Sequence, residues 1–430
     1  MADVRPFHGI RFNPARVPDV GAALCPPFDI ISPEEQSRLY AKSPHNIVRV
    51  ELTREEGGRE KYALAAETMR AWRASGVLMQ EPEPAYYAAE HDFTYRGKTM
   101  TRLELTAAIR LEDFPGAVKP HEDTRKGPKE DRLKLMTATE ANVSPIMLLY
   151  QSSPMVREVL QKARATAKPL AVELGGGERF RLWPVTNPVF LAALQHAFSQ
   201  EYLYIADGHH RYETSLYYSK QNPGKGEAAA HVLATLIAFD DPGLLSLPYH
   251  RVLKGLDGAA MAKLKGAVEG HFTIERHHAR GPSEGTAGAI LDSLAREDVL
   301  FEVWGMEPER RWTLRLSDRG VIEKIAGSDH SKSWAGLGAT LFRELILLPT
   351  LGVKEEEAEK EGRLTFAKDA MEAVELVGKG GYQVAFLPHA VPMAGLKEVS
   401  DRQERMPPKA TYFHPKLPTG LVMKSLAGGL

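Results

Sequence analysis

Hydrophobic and polar positions repeat with two different periods along this chain. Residues 60–75 place apolar side chains on one helical face and run into Gly76, which predicts an amphipathic helix. Ser32-Pro33-Glu34-Glu35 reads as a capping box with proline at the first helical position, opening a helix to about Lys42. Ahead of it, Phe28-Asp29-Ile30-Ile31 reads as extended. From His45 to Leu52 the period falls to two. Ile47, Arg49 and Glu51 share one face and Val48, Val50 and Leu52 the other, so a strand is expected. Residues 85–95 and 99–111, joined by Arg96-Gly97-Lys98, read as a β-hairpin. Helices are expected over 129–142, 187–200 and 210–220, with strands over 146–150 and 202–206.

Past about residue 240, helical and strand patterns alternate again: helices over 259–270 and 285–296, strands over 272–276, 299–303 and 312–316. Asp240-Asp241-Pro242-Gly243 packs four turn-forming residues together and is the natural boundary. The expected fold is a mixed α/β (α+β) protein of two lobes, residues 1–242 and a C-terminal α+β lobe over 243–430.

Composition narrows the chemistry. Lysine and arginine total 55 against 56 acidic residues, a net charge of −1, which gives no general attraction to nucleic acid or anionic membrane. The single cysteine, Cys25, excludes a disulfide framework within the chain and argues against a Cys-based zinc site. No apolar run approaches a membrane span, and the start has no apolar leader core. A cytoplasmic location is expected.

The densest candidate chemistry is Asp207-Gly208-His209-His210-Arg211, between a predicted strand and a predicted helix. Glycine there permits unusual backbone angles and close ligand approach. The helix behind it directs N–H groups and a positive dipole end outward, which suits phosphate. Arg211 adds a planar fork of donors. The histidines can donate or move protons near neutral pH, and Asp207 can orient a histidine, hold magnesium or accept a proton. The bland reading is a polar turn with a helix-capping aspartate; the five residues together at that junction favour function.

Two further clusters stand beside it. His121-Glu122-Asp123-Thr124, with Lys129 and Arg132, mixes groups that grip phosphate with a carboxylate able to act as a base, or is a solvated, salt-bridged helix start. The proline-stiffened stretch around Lys409, His414 and Lys416 either closes over a ligand or packs across the surface. Asp29, after Pro26-Pro27-Phe28, could line a pocket. Adjacent histidines do not share a face, so His209 and His210 make a poor metal pair. The P-loop, the Gly-x-Gly-x-x-Gly turn, the His-Glu-x-x-His helix and the Gly-x-Ser-x-Gly elbow are all absent.

Arg5-Pro6-Phe7, Pro26-Pro27-Phe28-Asp29, His45-Asn46, Asp207 to Arg211 and Pro408-Lys409-Ala410-Thr411-Tyr412-Phe413 together resemble a widespread bacterial and archaeal family, domain-of-unknown-function family 1015. Ala410 departs from the serine expected there. The central part is also similar to the free-serine kinases of the ParB/sulfiredoxin-like superfamily. Their order of elements recurs as His121-Glu122, Arg132-Leu133, Pro145-Ile146 and Asp207 to Arg211, with an insertion between Tyr150 and Tyr202. The turn has His209 where sulfiredoxins carry cysteine, and histidines where ParB proteins carry Glu-Arg-Arg.

This resemblance implies a ParB/sulfiredoxin-like nucleotide-binding core with insertions, and phosphoryl transfer from ATP or ADP to the hydroxyl of a small free amino acid, best L-serine. It assigns Glu122 to proton removal and Asp207, His209 and His210 to the catalytic motif. Gly208, His209, His210, Arg211, Lys129 and Arg132 would bind nucleotide; Asp29, His121, Thr124 and Lys409 would bind the acceptor. Magnesium is expected, nucleic-acid and membrane partners are not, and a homodimer stays open. A non-catalytic nucleotide sensor and a metal-dependent phosphohydrolase are the alternatives.

Overall fold

The computed structural model describes residues 1–124, 126–279, 281, 283–379 and 381–430. They form two compact units. The first contains Met1–Pro120, Thr124–Leu245 and Pro415–Leu430; the second contains His121–Asp123 and Ser246–His414. The architecture is mixed α/β, several sheets covered by helices.

A nine-stranded mixed sheet organises the first unit. Its middle is the long hairpin Tyr86–Tyr95 and Lys98–Arg110. Arg96 and Gly97 both have positive φ, 50° and 72°, the conformation a two-residue hairpin turn requires. His231–Ala238 joins Lys98–Arg110 antiparallel and Ile146–Tyr150 parallel; Leu203–Asp207 then runs antiparallel to Ile146–Tyr150. On the other side, Glu178–Val185 pairs with Tyr86–Tyr95. Successive residues of Tyr86–Tyr95 enter opposite cores, Tyr87 and Ala89 one, Tyr86 and Ala88 the other. That alternation follows from strand pleating, and the sheet is buried on both faces.

Helix Lys61–Ala74 covers one face through Ala65, Met69 and Trp72. Helices Pro154–Thr166 and Pro188–Phe198 cover the other through Val156, Leu160, Leu194 and Phe198. Each of these buried apolar side chains contributes roughly 1.5–3 kcal/mol, alanines less. A smaller four-stranded sheet joins Leu78–Gln80, Gly9–Phe12, Met423–Ser425 and Ala141–Asn142, and so ties the end of the chain into the first unit.

The second unit has a six-stranded antiparallel sheet: Phe272–His278, Arg310–Leu316, Phe301–Glu307, Val384–Pro388, His250–Leu253 and Leu364–Ala367, in that order. Phe301, Val303, Trp312 and Phe386 pack on one face with helix Gly258–His271, while Trp304, Ala385 and Leu387 pack on the other with helix Ala370–Lys379.

Two expected elements are corrected. Phe28–Ile30 is a short 3-10 turn, not extended chain, closed by Ile30 N–H donating to the Pro27 carbonyl at 3.2 Å. His45–Leu52 is not a strand; it turns into the short helix Val48–Glu51. Asn46 decides this. Its amide donates to the Ala22 and Leu24 carbonyls at 2.8 and 2.9 Å, and its oxygen accepts from Val48 N at 2.9 Å. Ile47, Val48, Val50 and Glu51 are all buried, so the alternation had no solvent face to report. The N-cap half of the expected capping box is present: Ser32 Oγ accepts from Glu35 N at the start of helix Pro33–Lys42 and donates to Glu34 Oε2 at 2.8 Å.

Candidate functional site

The Asp207–Arg211 segment lies in the first unit. Strand Leu203–Asp207 ends on the aspartate, and helix His209–Gln221 begins two residues later. Gly208 between them has φ 95°, ψ 29°. A Cβ there would stand 2.8 Å from Ile146 Cγ2 and 3.1 Å from the Arg211 guanidinium, so neither backbone nor space admits a larger residue. Gly208 offers no side-chain cap, and the first turn of the helix holds no acidic residue. The positive end of the helix is therefore not neutralised by its own cap.

Asp207 sits between two cations. Oδ2 accepts from Arg211 Nη2 at 2.7 Å, and Oδ1 accepts from Lys416 Nζ. Burial would raise this carboxyl's pKa; the Lys416 ammonium and the Arg211 guanidinium, with His209, outweigh burial and hold it well below the usual carboxylate range. The Arg211 fork is fixed from behind. Its Nη1 donates to Ser144 Oγ at 3.1 Å and to the Pro145 carbonyl. His209 is buried and His210 half-buried. The second turn of the helix adds Glu213, whose Oε2 accepts from Thr124 Oγ1 at 2.5 Å and from Lys129 Nζ at 2.9 Å.

Beneath the turn, Glu51, Arg132, Ser144, Arg211 and Thr214 help line a cavity of about 40 Å³, which is room for water. Burial pushes the Glu51 carboxyl up from its ordinary value against the pull of Arg132 and Arg211. Arg132 is engaged structurally. It donates to the Glu51 carbonyl at 3.0 Å and to Asp131 Oδ2 at 2.9 Å, and its guanidinium lies 4.0 Å over the Phe28 ring. Asp29 is exposed, on the 3-10 turn beside it. A larger groove of about 630 Å³ lies along helix His209–Gln221, lined by Phe114, Lys129, Leu133, Glu213, Tyr217 and Lys220 among others.

The remaining candidates belong to the second unit. His121 is buried, its carbonyl accepting from Met406 N at 2.8 Å and its Nε2 lying 3.2 Å from Thr411 Oγ1. Glu122 is half-buried. Lys409 has positive φ, 59°; its carbonyl accepts from Arg251 Nη2 at 3.4 Å and its ammonium stands 5.1 Å over the Tyr249 ring. The run from His121 to Arg132, one cluster in sequence, is thus divided between the units.

The sequence offered Lys416 only as part of a stretch that could close over a ligand, without joining it to Asp207, and did not single out Ser144 or Glu213. Lys416 lies 209 positions from Asp207. The available signal was its place between Pro415 and Pro418 in a stiffened segment.

Among the described residues no group of three or more His, Cys, Asp or Glu side chains is placed to hold a metal ion. At the turn the one carboxylate, Asp207, has both oxygens bound to cations. A protein-built magnesium cage does not fit these residues; magnesium bound mainly through substrate phosphates, its usual manner, needs no such cage. No helix among the described residues is long and apolar enough to cross a membrane.

The model of a protein family of unknown function, DUF1015, matches residues 4–322. The chain belongs to this family. Among solved structures it is similar to a conserved hypothetical protein from Pyrococcus furiosus, at 16% identity and TM-score 0.33 over 72% of this chain and 92% of that one. It is also similar to a free serine kinase in complex with AMP, at 15% identity and TM-score 0.34, over 71% and 89%. SbnI with a C-terminal truncation, from Staphylococcus aureus, aligns at 10% identity and TM-score 0.36, over 74% and 87%. No curated protein matches the sequence significantly.

Proposed function

We propose that this member of the family is a small-molecule kinase that transfers a phosphoryl group from ATP or ADP to the hydroxyl of a free amino acid, L-serine in the first instance. The observation that carries the reading is the turn: an uncapped helix start behind a left-handed glycine, with Asp207, Arg211 and Lys416 converging in front of it. Such a turn binds phosphate through backbone N–H groups, the helix dipole and a cationic fork. The neighbouring groove has the volume of a small-ligand pocket, and Lys129 and Tyr217 on its walls suit a nucleoside phosphate.

In the transfer, the serine oxygen forms a bond to the terminal phosphorus while the bond to the nucleotide's bridging oxygen breaks. The serine hydroxyl proton passes to a carboxylate, and ADP or AMP leaves. The reaction asks for positioning and charge neutralisation more than covalent help. Asp207 binds Arg211 through one carboxylate oxygen and Lys416 through the other, which keeps both cations at the turn. His209 and His210, the first residues of the helix behind the turn, would donate to the transferred oxygens. The proton-accepting role of Glu122 follows from the resemblance of His121-Glu122 to the kinase motif. Magnesium, if bound, would come with the nucleotide.

The test is incubation of purified protein with magnesium, ATP or ADP, and L-serine, with O-phosphoserine read by mass spectrometry. Product is expected, and Asp207→Asn should lower its rate on the order of 100-fold, the scale of losing one electrostatic stabiliser. Glu122→Gln should abolish it with the fold intact. Nucleotide binding without product for serine or any small hydroxy amino acid would overturn the kinase reading in favour of a sensor.

A further inference from the structure

Lys416 reaches Asp207 from a segment with little regular structure, so something else fixes it. Pro415 and Lys416 lie outside any helix or strand. A lysine side chain has many rotamers and loses conformational entropy when held. A lysine that must meet a carboxylate repeatedly needs its own backbone held first.

Two anchors flank it. On the C-terminal side, Thr419 N–H donates to the Cys25 carbonyl at 2.8 Å, Thr419 Oγ1 lies 3.0 Å from Ser144 Oγ, and Gly420 N–H donates to the Val143 carbonyl at 3.0 Å. Ser144 Oγ also accepts from Arg211. On the N-terminal side, Arg102 Nη1 donates to the Pro415 carbonyl at 3.1 Å.

Arg102 is fully buried on strand Lys98–Arg110, far along the chain from both Asp207 and Lys416. Its Nε donates to Glu104 Oε1 at 2.8 Å, and its Nη2 lies 3.2 Å from His91 Nδ1. His91 Nε2 contacts Glu178 Oε1 at 2.8 Å, and the imidazole stacks on Phe180 at 3.9 Å. The strand is held there as well. Leu103 N–H donates to Asp241 Oδ2 at 3.1 Å, and a Cβ on Gly243 would stand 2.7 Å from the Arg102 Cα. A buried cation on a central strand, with its acid and its imidazole in place, is a rigid post. Its outward N–H fixes the residue next to Lys416.

We propose that Arg102, braced by Glu104 and His91, is a positioning residue that sets Lys416 against Asp207 at the phosphate-binding turn. The proposal rests on the kinase reading for its catalytic consequence but not for its structural one. Methionine at position 102 would leave Glu104 buried without its cation, and such a variant can fail to fold. Lysine keeps the charge while losing the fork that serves Glu104 and the Pro415 carbonyl at once.

The experiment compares wild type, Arg102→Lys, Lys416→Met and the double variant, each checked for an intact melting transition. Hydrogen exchange of residues 415–421 is followed by mass spectrometry, and kcat/KM for the nucleotide by the phosphoserine assay. Arg102→Lys should speed exchange in that segment at least 10-fold while helix 209–221 is unchanged, and should lower kcat/KM roughly 10-fold. In the Lys416→Met background the same substitution should cost nothing more, since its effect passes through Lys416. Additive losses in the two backgrounds, or unchanged exchange at 415–421, would overturn the proposal. If wild type makes no phosphoserine the kinase reading fails, and the exchange result still decides whether Arg102 holds the segment.

Discussion

Each unit buries one arginine on a strand against one glutamate and uses it to grip a later stretch of chain. In the first unit Arg102 bonds Glu104 and the Pro415 carbonyl. In the second Arg251 bonds Glu355 Oε1 at 2.7 Å, and the carbonyls of Tyr249 at 3.0 Å and Lys409 at 3.4 Å, with the Phe342 and Phe366 rings each 5.5 Å from its guanidinium. The acids differ. Burial works against the Glu104 charge, but Arg102 and His91 overcome it and keep its pKa below the ordinary value. Glu355 Oε2 is buried with no hydrogen-bond partner among the described residues. A buried pair is useful to a fold when the remaining lone pairs are satisfied, and otherwise contributes little beyond holding a geometry. The post next to Lys416 is the better satisfied of the two.

The sharpest way to break the parallel is Arg251→Met. It should destabilise the second unit by about 3–5 kcal/mol, because it strands the Glu355 charge in the interior. Adding Glu355→Leu should recover most of that loss in denaturant unfolding. A single variant no less stable than wild type would show that Arg251 fixes nothing.

Gly208→Ala tests the turn itself. The left-handed conformation costs an alanine about 1–2 kcal/mol, and the new Cβ meets Ile146 and Arg211. Stability should fall by about that amount. Nucleotide affinity, measured by calorimetry, should fall further than stability does, because Arg211 is displaced.

The smallest effect concerns a cation without a carboxylate. Lys424 is buried, its Nζ donating to the Ala228 and Ser425 carbonyls, and burial pushes its pKa down to about 7 from 10.5. The unfolded chain then binds more protons than the folded one between about pH 7 and 10.5. This lysine's contribution therefore makes stability rise with pH across that window, by about 1 kcal/mol from pH 7 to 8. Lys424→Met should remove that slope; a slope that survives would place its origin elsewhere.

Local pattern alone determined much of this chain: the 86–110 hairpin with its Arg96-Gly97 turn, the helices starting at Pro33, Lys61 and Pro188, and the strand–glycine–helix junction at Asp207. These rest on interactions within a few residues, namely caps, glycine conformations and a period of two or 3.6. Local pattern failed at His45–Leu52, where Asn46 and burial on every side override an alternation that reads as a strand. It could not bring Lys416 to Asp207, Glu213 to Lys129 or Arg102 to Pro415, nor return Pro415–Leu430 to the first unit. Those partners lie 84 to 313 positions apart. At such separations the choice of partner is made by the packing of sheets and by burial of charge, terms with no periodic trace in the sequence.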